Sequence, residues 1–289
     1  MDQATWFSIQ TQEQINLKPW TLAAVVRTEQ TDSVRVENLA AEFAPINLQQ
    51  MDSVALLNRF DKKFILTIGQ LLRTLAALAQ GKSDYRILSV AGQRLNHYRT
   101  LYFDTQDFAL YNQHVNERAD RYKVRSREYL ESQQSFLEVK HHTRKDRTIK
   151  SRVSTIQPTV RFDSVAEAWL QQEVPFDSRG LEPKLWNDFS RITLVNTAHC
   201  ERVTIDVDLA FHTAHRLARF GNLAVAEVKQ DGSSCASAFL AQMRALRVHP
   251  QGFSKYCIGT SLLYDHVKKN SLKEKLLWFE KNSIGVFYE

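Results

Sequence analysis

Between Arg121 and Ser154 polar and apolar residues alternate with a period of two, and no stretch long enough for a helix interrupts them. Strands joined without a crossover helix run antiparallel. The segment therefore dictates a sheet of three successive strands, predicted at Arg121–Leu130, Ser135–His142 and Arg147–Ser154. Further strands are predicted at Arg59–Thr67, Tyr85–Val90, His97–Asp104, Phe189–Asn196, Arg202–Leu209 and Leu223–Lys229. Helical spacing is confined to about Gly69–Gln80, Gln106–Asn116, Ser164–Val174, Ser234–Arg247, Ser254–Lys269 and Leu272–Glu280, with Ser164 as an expected N-cap. Strands with helices scattered between them make an α+β chain. With 9 Gly and 6 Pro in 289 residues, flexible joints are few. One domain is expected over 43–269, preceded by an extension (1–42) without evident chemistry and followed by a helical tail (270–289).

Residues i and i+2 of a strand share a face. Arg121, Lys123, Arg125 and Arg127 thus form a row, while Tyr122 and Val124 look the other way. Glu138, Lys140 and His142 oppose Leu137 and Val139; Lys150 and Arg152 oppose Ile149 and Val153. Arg59, Asp61 and Lys63 oppose Phe60, Phe64 and Leu66, and Glu227 and Lys229 oppose Ala224, Ala226 and Val228. Arg202, Thr204, Asp206 and Asp208 oppose Val203, Ile205, Val207 and Leu209.

One such strand is an ordinary half-buried strand with a wet face. The set is different, because Arg and Lys, with a few carboxylates, dominate the wet faces taken together, and like charges repel across strands. A surface that gathers a polyanion gains from them, since each desolvated cation makes charge-assisted bonds to phosphate oxygens. If helices cover the apolar faces, the cationic faces point into a barrel lumen or onto a concave sheet. An eight-stranded barrel is too narrow for duplex nucleic acid but admits an extended chain or a small ligand. The interspersed carboxylates either balance the cations or hold a hard divalent metal, and Glu227 is the expected ligand.

The remaining signals exclude more than they assign. A net charge of +6 leaves anionic partners open. Three cysteines without CxxC spacing support neither a disulfide framework nor a zinc site. No apolar run approaches the roughly 18 residues of a membrane span, and no signal peptide is read at the start, so a cytoplasmic location is expected. Gly81-Lys82-Ser83 has Ala76 where a P-loop needs glycine, and it follows a helix. His141, His142, His212 and His215 read as exposed or hydrogen-bonded, with His142 as a supporting lumen contact. Binders of single-stranded nucleic acid interleave cations with stacking aromatics. In the Arg121–Arg127 row Tyr122 lies on the opposite face, so no nucleic acid is expected.

Seven segments occur in an order that carries a resemblance: Asn58 to Leu66, Leu101-Tyr-Phe-Asp-Thr105, Lys123-Val-Arg125, Glu138-Val-Lys140, Ile205-Asp206, Ala226-Glu-Val-Lys229 and Ser254-Lys-Tyr256. From about Phe43 to about Lys269 the chain resembles the VTC domain of polyphosphate polymerases, within the triphosphate tunnel metalloenzymes. The resemblance implies an antiparallel eight-stranded tunnel barrel lined by basic residues, with surrounding helices. It also implies transfer of the γ-phosphoryl group of ATP to a growing inorganic polyphosphate, with manganese or magnesium as cofactor. Lys63, Lys123, Arg125, Lys140 and Lys229 would be catalytic. Lys150, Arg191, Arg202 and Lys255 would bind substrate, joined by Arg59, Arg127, Glu138 and Arg152 from the strand alternation, and Glu227 would bind the metal. The superfamily's ExExK signature is half present, with Phe136 and Val225 where its first glutamates stand. A triphosphate hydrolase of the same fold and a non-catalytic polyphosphate-binding module are the alternatives.

Overall fold

The antiparallel ladder that the alternation demands extends through most of the chain. The computed structural model describes residues 32–52, 59–81, 84–231, 237–282 and 287–288, with the side chains of Asp52, Arg59, Phe60, Asp231, Phe287 and Tyr288 outside that description. The strands are β1 (Pro45–Ile46), β2 (Arg59–Thr67), β3 (Tyr85–Leu88), β4 (Asn96–Asp104), β5 (Arg121–Tyr129) and β6 (Gln134–His142). They continue with β7 (Thr148–Thr155), β8 (Glu182–Asn196), β9 (Glu201–His212), β10 (Leu217–Phe220), β11 (Leu223–Asp231) and β12 (Phe287–Tyr288). The helices are α1 (32–41), α2 (Leu48–Asp52), α3 (Ile68–Gln80), α4 (Ala109–Val115), α5 (Ser164–Glu173), α6 (Ala238–Ala245), α7 (Lys255–Leu263) and α8 (Lys273–Asn282).

Eight strands lie edge to edge in the order β7-β6-β5-β4-β8-β9-β11-β2, each antiparallel to its neighbours. The sheet curls. In a flat sheet of this order β6 and β11 would be five strand spacings apart, about 24 Å, beyond the range of a screened charge. Yet the Lys140 ammonium on β6 interacts with Glu227 on β11 and with Lys63 on β2. Among the described residues β7 and β2 do not pair, so the ring of strands has a seam.

Each face of the sheet is covered for a reason visible in the strands. On the convex side, Phe64, Leu66, Val203, Ile205, Ala224, Ala226 and Val228 pack with Leu71, Leu75 and Leu78 of α3 and with Phe239 and Met243 of α6. Thr67 and Gln70 form a capping box that starts α3. Within the stretch read as an extension, α1 buries Val36 and Ala40 in this same cluster. Leu101, Val124, Leu137 and Val139 pack with Leu170 of α5. Full burial of each such side chain stabilises by roughly 1.5–3 kcal/mol.

The concave side is divided. Toward one end Ile65, Leu185, Phe189, Phe211 and Val225 are apolar, and Tyr256, Cys257 and Ile258 of α7 fill the space against them. The other part of the concave face stays polar. Asp104 anchors this arrangement: its buried carboxylate accepts from Leu110 N and Tyr111 N (both 2.8 Å) at the start of α4, and from the Tyr256 hydroxyl of α7. Among the described residues no helix is long and apolar enough to cross a membrane.

Three local expectations are corrected. The α5 cap is Asp163, whose carboxylate accepts from Ala166 N at 2.8 Å, and Ser164 is the first helical residue. Strand β8 begins seven residues before Phe189, at Glu182, because Pro183 masks a strand that carries on beyond it. Asp208 does not share the face of Asp206. It sits at φ +54° in a bulge of β9 opposite the Asp188–Ser190 stretch, and it is exposed. The helix predicted from Ser234 is seen from Ala238, and residues 232–236 lie outside the described residues.

The tight fit of α7 gives a test. A methyl group on Gly259 would stand 2.5 Å from Phe211 Cδ1 and 3.1 Å from Leu185 Cδ1. Gly→Ala inside a helix ordinarily stabilises by about 0.5–1 kcal/mol. Here Gly259→Ala is expected to destabilise by roughly 1–3 kcal/mol through overpacking, measured by urea unfolding.

Candidate functional site

Register alone places the charged side chains. Lys123 of β5 stands opposite Lys140 of β6, which stands opposite Lys150 of β7. One step along, Arg125, Glu138 and Arg152 form the next row, and Arg127 faces Phe136. On the far wall Glu227 pairs in register with Lys63 and Lys229 with Asp61, while Arg202 lies opposite Lys229. Between the walls Arg191 of β8 lies opposite Asp206 of β9. Lys255 enters from the first turn of α7, capped by Ser254.

Three carboxylates organise this lumen, each holding two cations. Glu138 takes Arg125 through Nε (2.7 Å) and Nη2 (2.6 Å), and Lys150 at 2.7 Å. Asp206 takes a two-pronged bond from Arg191 (2.5 and 2.9 Å) and a contact from Lys255. Glu227 takes Lys229 and, at 3.5 Å, Lys63; Lys229 also lies 3.7 Å from Asp61. Burial would raise all three carboxyls, but the cations prevail. Arg125, Arg127 and Lys150 hold Glu138 at about 2, Arg191 and Lys255 hold Asp206 at about 2, and Lys229 and Lys63 hold Glu227 far below its usual range.

Other lumen cations lack a close carboxylate. Among the described residues Lys123, Lys140, Arg127 and Arg152 make no ion pair. Arg127 donates to Thr100 Oγ1 at 3.2 Å and lies over Tyr98, and Arg152 stacks 4.5 Å from the Phe136 ring centre. Burial, then Lys123 and Arg125, pull the Lys140 ammonium down to about 8, although its side chain is open to lumen solvent. Burial lowers Lys123 as well. Burial and neighbouring Arg191 lower Lys255 to about 8 despite its bond to Asp206. Close cations whose charge is strained in this way favour any ligand that brings negative oxygens.

The residues expected to bind therefore converge on one cavity. Arg59 is the exception, because its side chain lies outside the described residues. His142 shares their face by register but pairs with Asp146 of the β6–β7 turn at 3.2 Å. His141 turns outward, stacks on Tyr122 and contacts Asp120, while His212 meets Asp188 at 2.9 Å. Sequence reading missed the lumen aromatics. Tyr98 and Phe189 stack with ring centres 5.1 Å apart, and Tyr129 and Phe136 continue the wall. Tyr129 and Phe136 continue the alternation of the β5 and β6 rows, but Tyr98 and Phe189 come from β4 and β8, and pairing partners of distant strands are not visible in a local pattern.

For a metal, no cluster of three or more His, Cys, Asp or Glu exists among the described residues. Glu227 still fits a hard cation of the magnesium type, which takes one or two carboxylates and completes its shell with phosphate oxygens and water. Its Oε1 meets Lys63 and Lys229. Next to two ammonium groups, such a cation is held only together with an anionic ligand.

Residues 58–264 match the family model described as the VTC domain. No curated protein matches the chain in sequence. Among solved structures, a Vibrio parahaemolyticus protein named as an adenylate cyclase is similar at 13% identity and TM-score 0.42, covering 71% of this chain and 98% of its own. A Bacillus halodurans protein named likewise shares 13% identity, with TM-score 0.40 and coverages of 68% and 94%. A Hippeastrum protein named as an adenylyl cyclase, described as having a dominant triphosphatase activity, shares 12%, with TM-score 0.43 and coverages of 71% and 96%. These likenesses are too distant to bear on the chemistry.

The lowered ammonium groups make ligand binding depend on pH. Lys140 and Lys255 carry their charge below about pH 8 and lose it above. A bound polyanion favours the charged forms, so binding draws in protons near that pH. Affinity for tripolyphosphate is expected to fall as pH rises from 7 to 9. Calorimetry at pH 8.5 in buffers of different ionisation enthalpy should show less proton uptake for Lys140→Gln than for the unaltered chain.

Proposed function

Because the chain belongs to the VTC-domain family, we propose that it is an ATP-dependent polyphosphate polymerase, which moves the terminal phosphoryl group of ATP onto the end of an inorganic polyphosphate chain. One observation carries the reading. Lys123, Lys140, Arg127 and Arg152, which make no ion pair among the described residues, line one wall, and the Glu227 node with Lys63 and Lys229 lies across the lumen from them. With two cations on each of three carboxylates and these four cations besides, the lumen holds more positive charge than one triphosphate neutralises. That excess suits a donor and an acceptor polyanion held together, which polymer growth needs and hydrolysis does not.

Phosphoryl transfer asks a protein chiefly for positioning and charge stabilisation. In the proposed reaction a terminal oxygen of the acceptor forms a bond to the γ-phosphorus. The bond from that phosphorus to the β–γ bridging oxygen breaks, and ADP leaves with the electron pair. The acceptor oxygen is already ionised, so no general base is required. Lys123 and Lys140 offset charge on the transferred group, and Arg125 and Lys150, braced by Glu138, orient the phosphates along β5–β7. Arg191 and Lys255, braced by Asp206, do the same from β8 and α7. Glu227 would hold a divalent metal, which would supply positive charge for the phosphates in the transition state.

The test is purified protein with ATP and Mn²⁺, followed on a gel that resolves polyphosphate. Long chains with stoichiometric ADP are expected. Release of free phosphate alone would establish the hydrolase reading, and tight binding without turnover would establish a binding module. Lys123→Met is expected to lower turnover at least about 10²-fold, the scale on which loss of a single charge-stabilising donor acts. Its fold should be intact, since burial disfavours that charge in the first place.

A further inference from the structure

One rim of the lumen is built unlike the rest. At the ends of β4, β5 and β6 the lumen face changes from cations to rings: Tyr98 lies opposite Tyr129 in register, and Tyr129 meets Phe136 edge to face at 5.8 Å. All three are half-buried, with Arg127 and Arg191 over the Tyr98 ring and Arg152 over the Phe136 ring. Inorganic phosphate has no use for such a surface, since it offers no π-face and no apolar area. The next lumen-facing residue outward from Tyr98 is Asn96, opposite Arg191. Asn96 is 5% exposed, and its side-chain oxygen has no hydrogen-bond partner among the described residues; its Nδ2 reaches only Arg94 O at 3.5 Å. A buried acceptor without a donor costs stability. Its place at the edge of an aromatic wall indicates a ligand that is flat and carries an N–H group.

Resting on the polymerase reading above, we propose that this rim is the nucleoside subsite, and that Asn96 selects an amino-bearing nucleobase. The base lies against the Tyr98–Tyr129–Phe136 wall, and Asn96 Oδ1 accepts from its exocyclic amine. The triphosphate then runs inward from the rim past Arg127 and Arg125 toward Lys123 and Lys140. This fixes the polarity of the donor: nucleoside at the aromatic rim, terminal phosphate deep among the lysines. Base–aromatic stacking is indifferent to which base is present, so discrimination rests on the orphan acceptor. A site built to bond a ligand group rejects an analogue that lacks it.

The experiment compares the affinities of ATP, ITP and tripolyphosphate for the full chain and for two variants. ITP carries an oxo group where ATP has its amine, and tripolyphosphate has no nucleoside. ATP should bind the unaltered chain about tenfold more tightly than ITP. The near-isosteric Asn96→Leu should abolish that preference, and Tyr129→Ala should weaken both nucleotides about tenfold. Tripolyphosphate affinity should stay unchanged in both variants, which also shows that they are folded. Equal affinity for ATP and ITP in the unaltered chain, or a parallel loss of tripolyphosphate affinity in the variants, would overturn the assignment. Binding of tripolyphosphate but not ATP would overturn the nucleoside subsite and the ATP-dependent reading while leaving the phosphate lumen standing. If neither ligand binds, both readings fall.

Discussion

Like charges packed along β5, β6 and β7 repel one another, and the surroundings of the lumen are arranged against that repulsion. Lys123 and Lys140 face each other across a ladder where opposite charges would help and like charges hurt. On the concave side Glu227 relieves Lys140 only in part. What holds the strands together lies behind them: Val124, Leu137 and Val139, almost fully buried on the convex face, beneath Leu170 of α5. Every second residue strains the sheet and every residue between secures it. The carboxylates temper the strain without cancelling it, because each is shared by two cations. A lumen neutralised one for one would be steadier and would have nothing left to offer an anion.

The division of the concave face follows from the same economy of charge. Where β8, β9 and β11 turn apolar, through Leu185, Phe211 and Val225, no water is needed and α7 packs in. Gly259 allows the helix to come that close, and the Asp104–Tyr256 contact ties its first turn to α4. Lys255, one residue before Tyr256, is thereby delivered to Asp206 beside Arg191. Packing at the apolar end thus sets the geometry of a cation at the polar end.

The β5–β6–β7 wall was legible in the sequence because its strands are short-range neighbours with clean alternation. Period, pairing and charge all agree there, and each predicted boundary lies within a residue of the observed strand. Legibility fails where a local rule is broken. The bulge at Asp208 turns that side chain outward, and the residues beyond it, Leu209 and Phe211, join the apolar end of the lumen. Composition along β9 gives no hint of the slip, since Asp208 continues the polar alternation. The aromatic rim was hidden for another reason. Tyr98, Tyr129, Phe136 and Phe189 come from four strands separated by up to about ninety residues, and only the register brings them together. For the same reason the two cations on each carboxylate could be listed beforehand but not matched.

The missing pairing between β7 and β2 has a consequence beyond the shape of the cavity. An exposed strand edge is a template on which another polypeptide can add itself. Among the described residues strand β7 has no partner on one side, and solvent reaches both of its faces. Its charged residues, Lys150 and Arg152, are the kind of side chain that keeps such an edge from recruiting a second strand. Under the proposed function the same two residues answer to two demands, one from the proposed ligand inside the sheet and one from neighbouring molecules outside it. Colloidal behaviour and ligand capture are joined at this strand: an apolar residue at either position removes a guard along with a ligand contact.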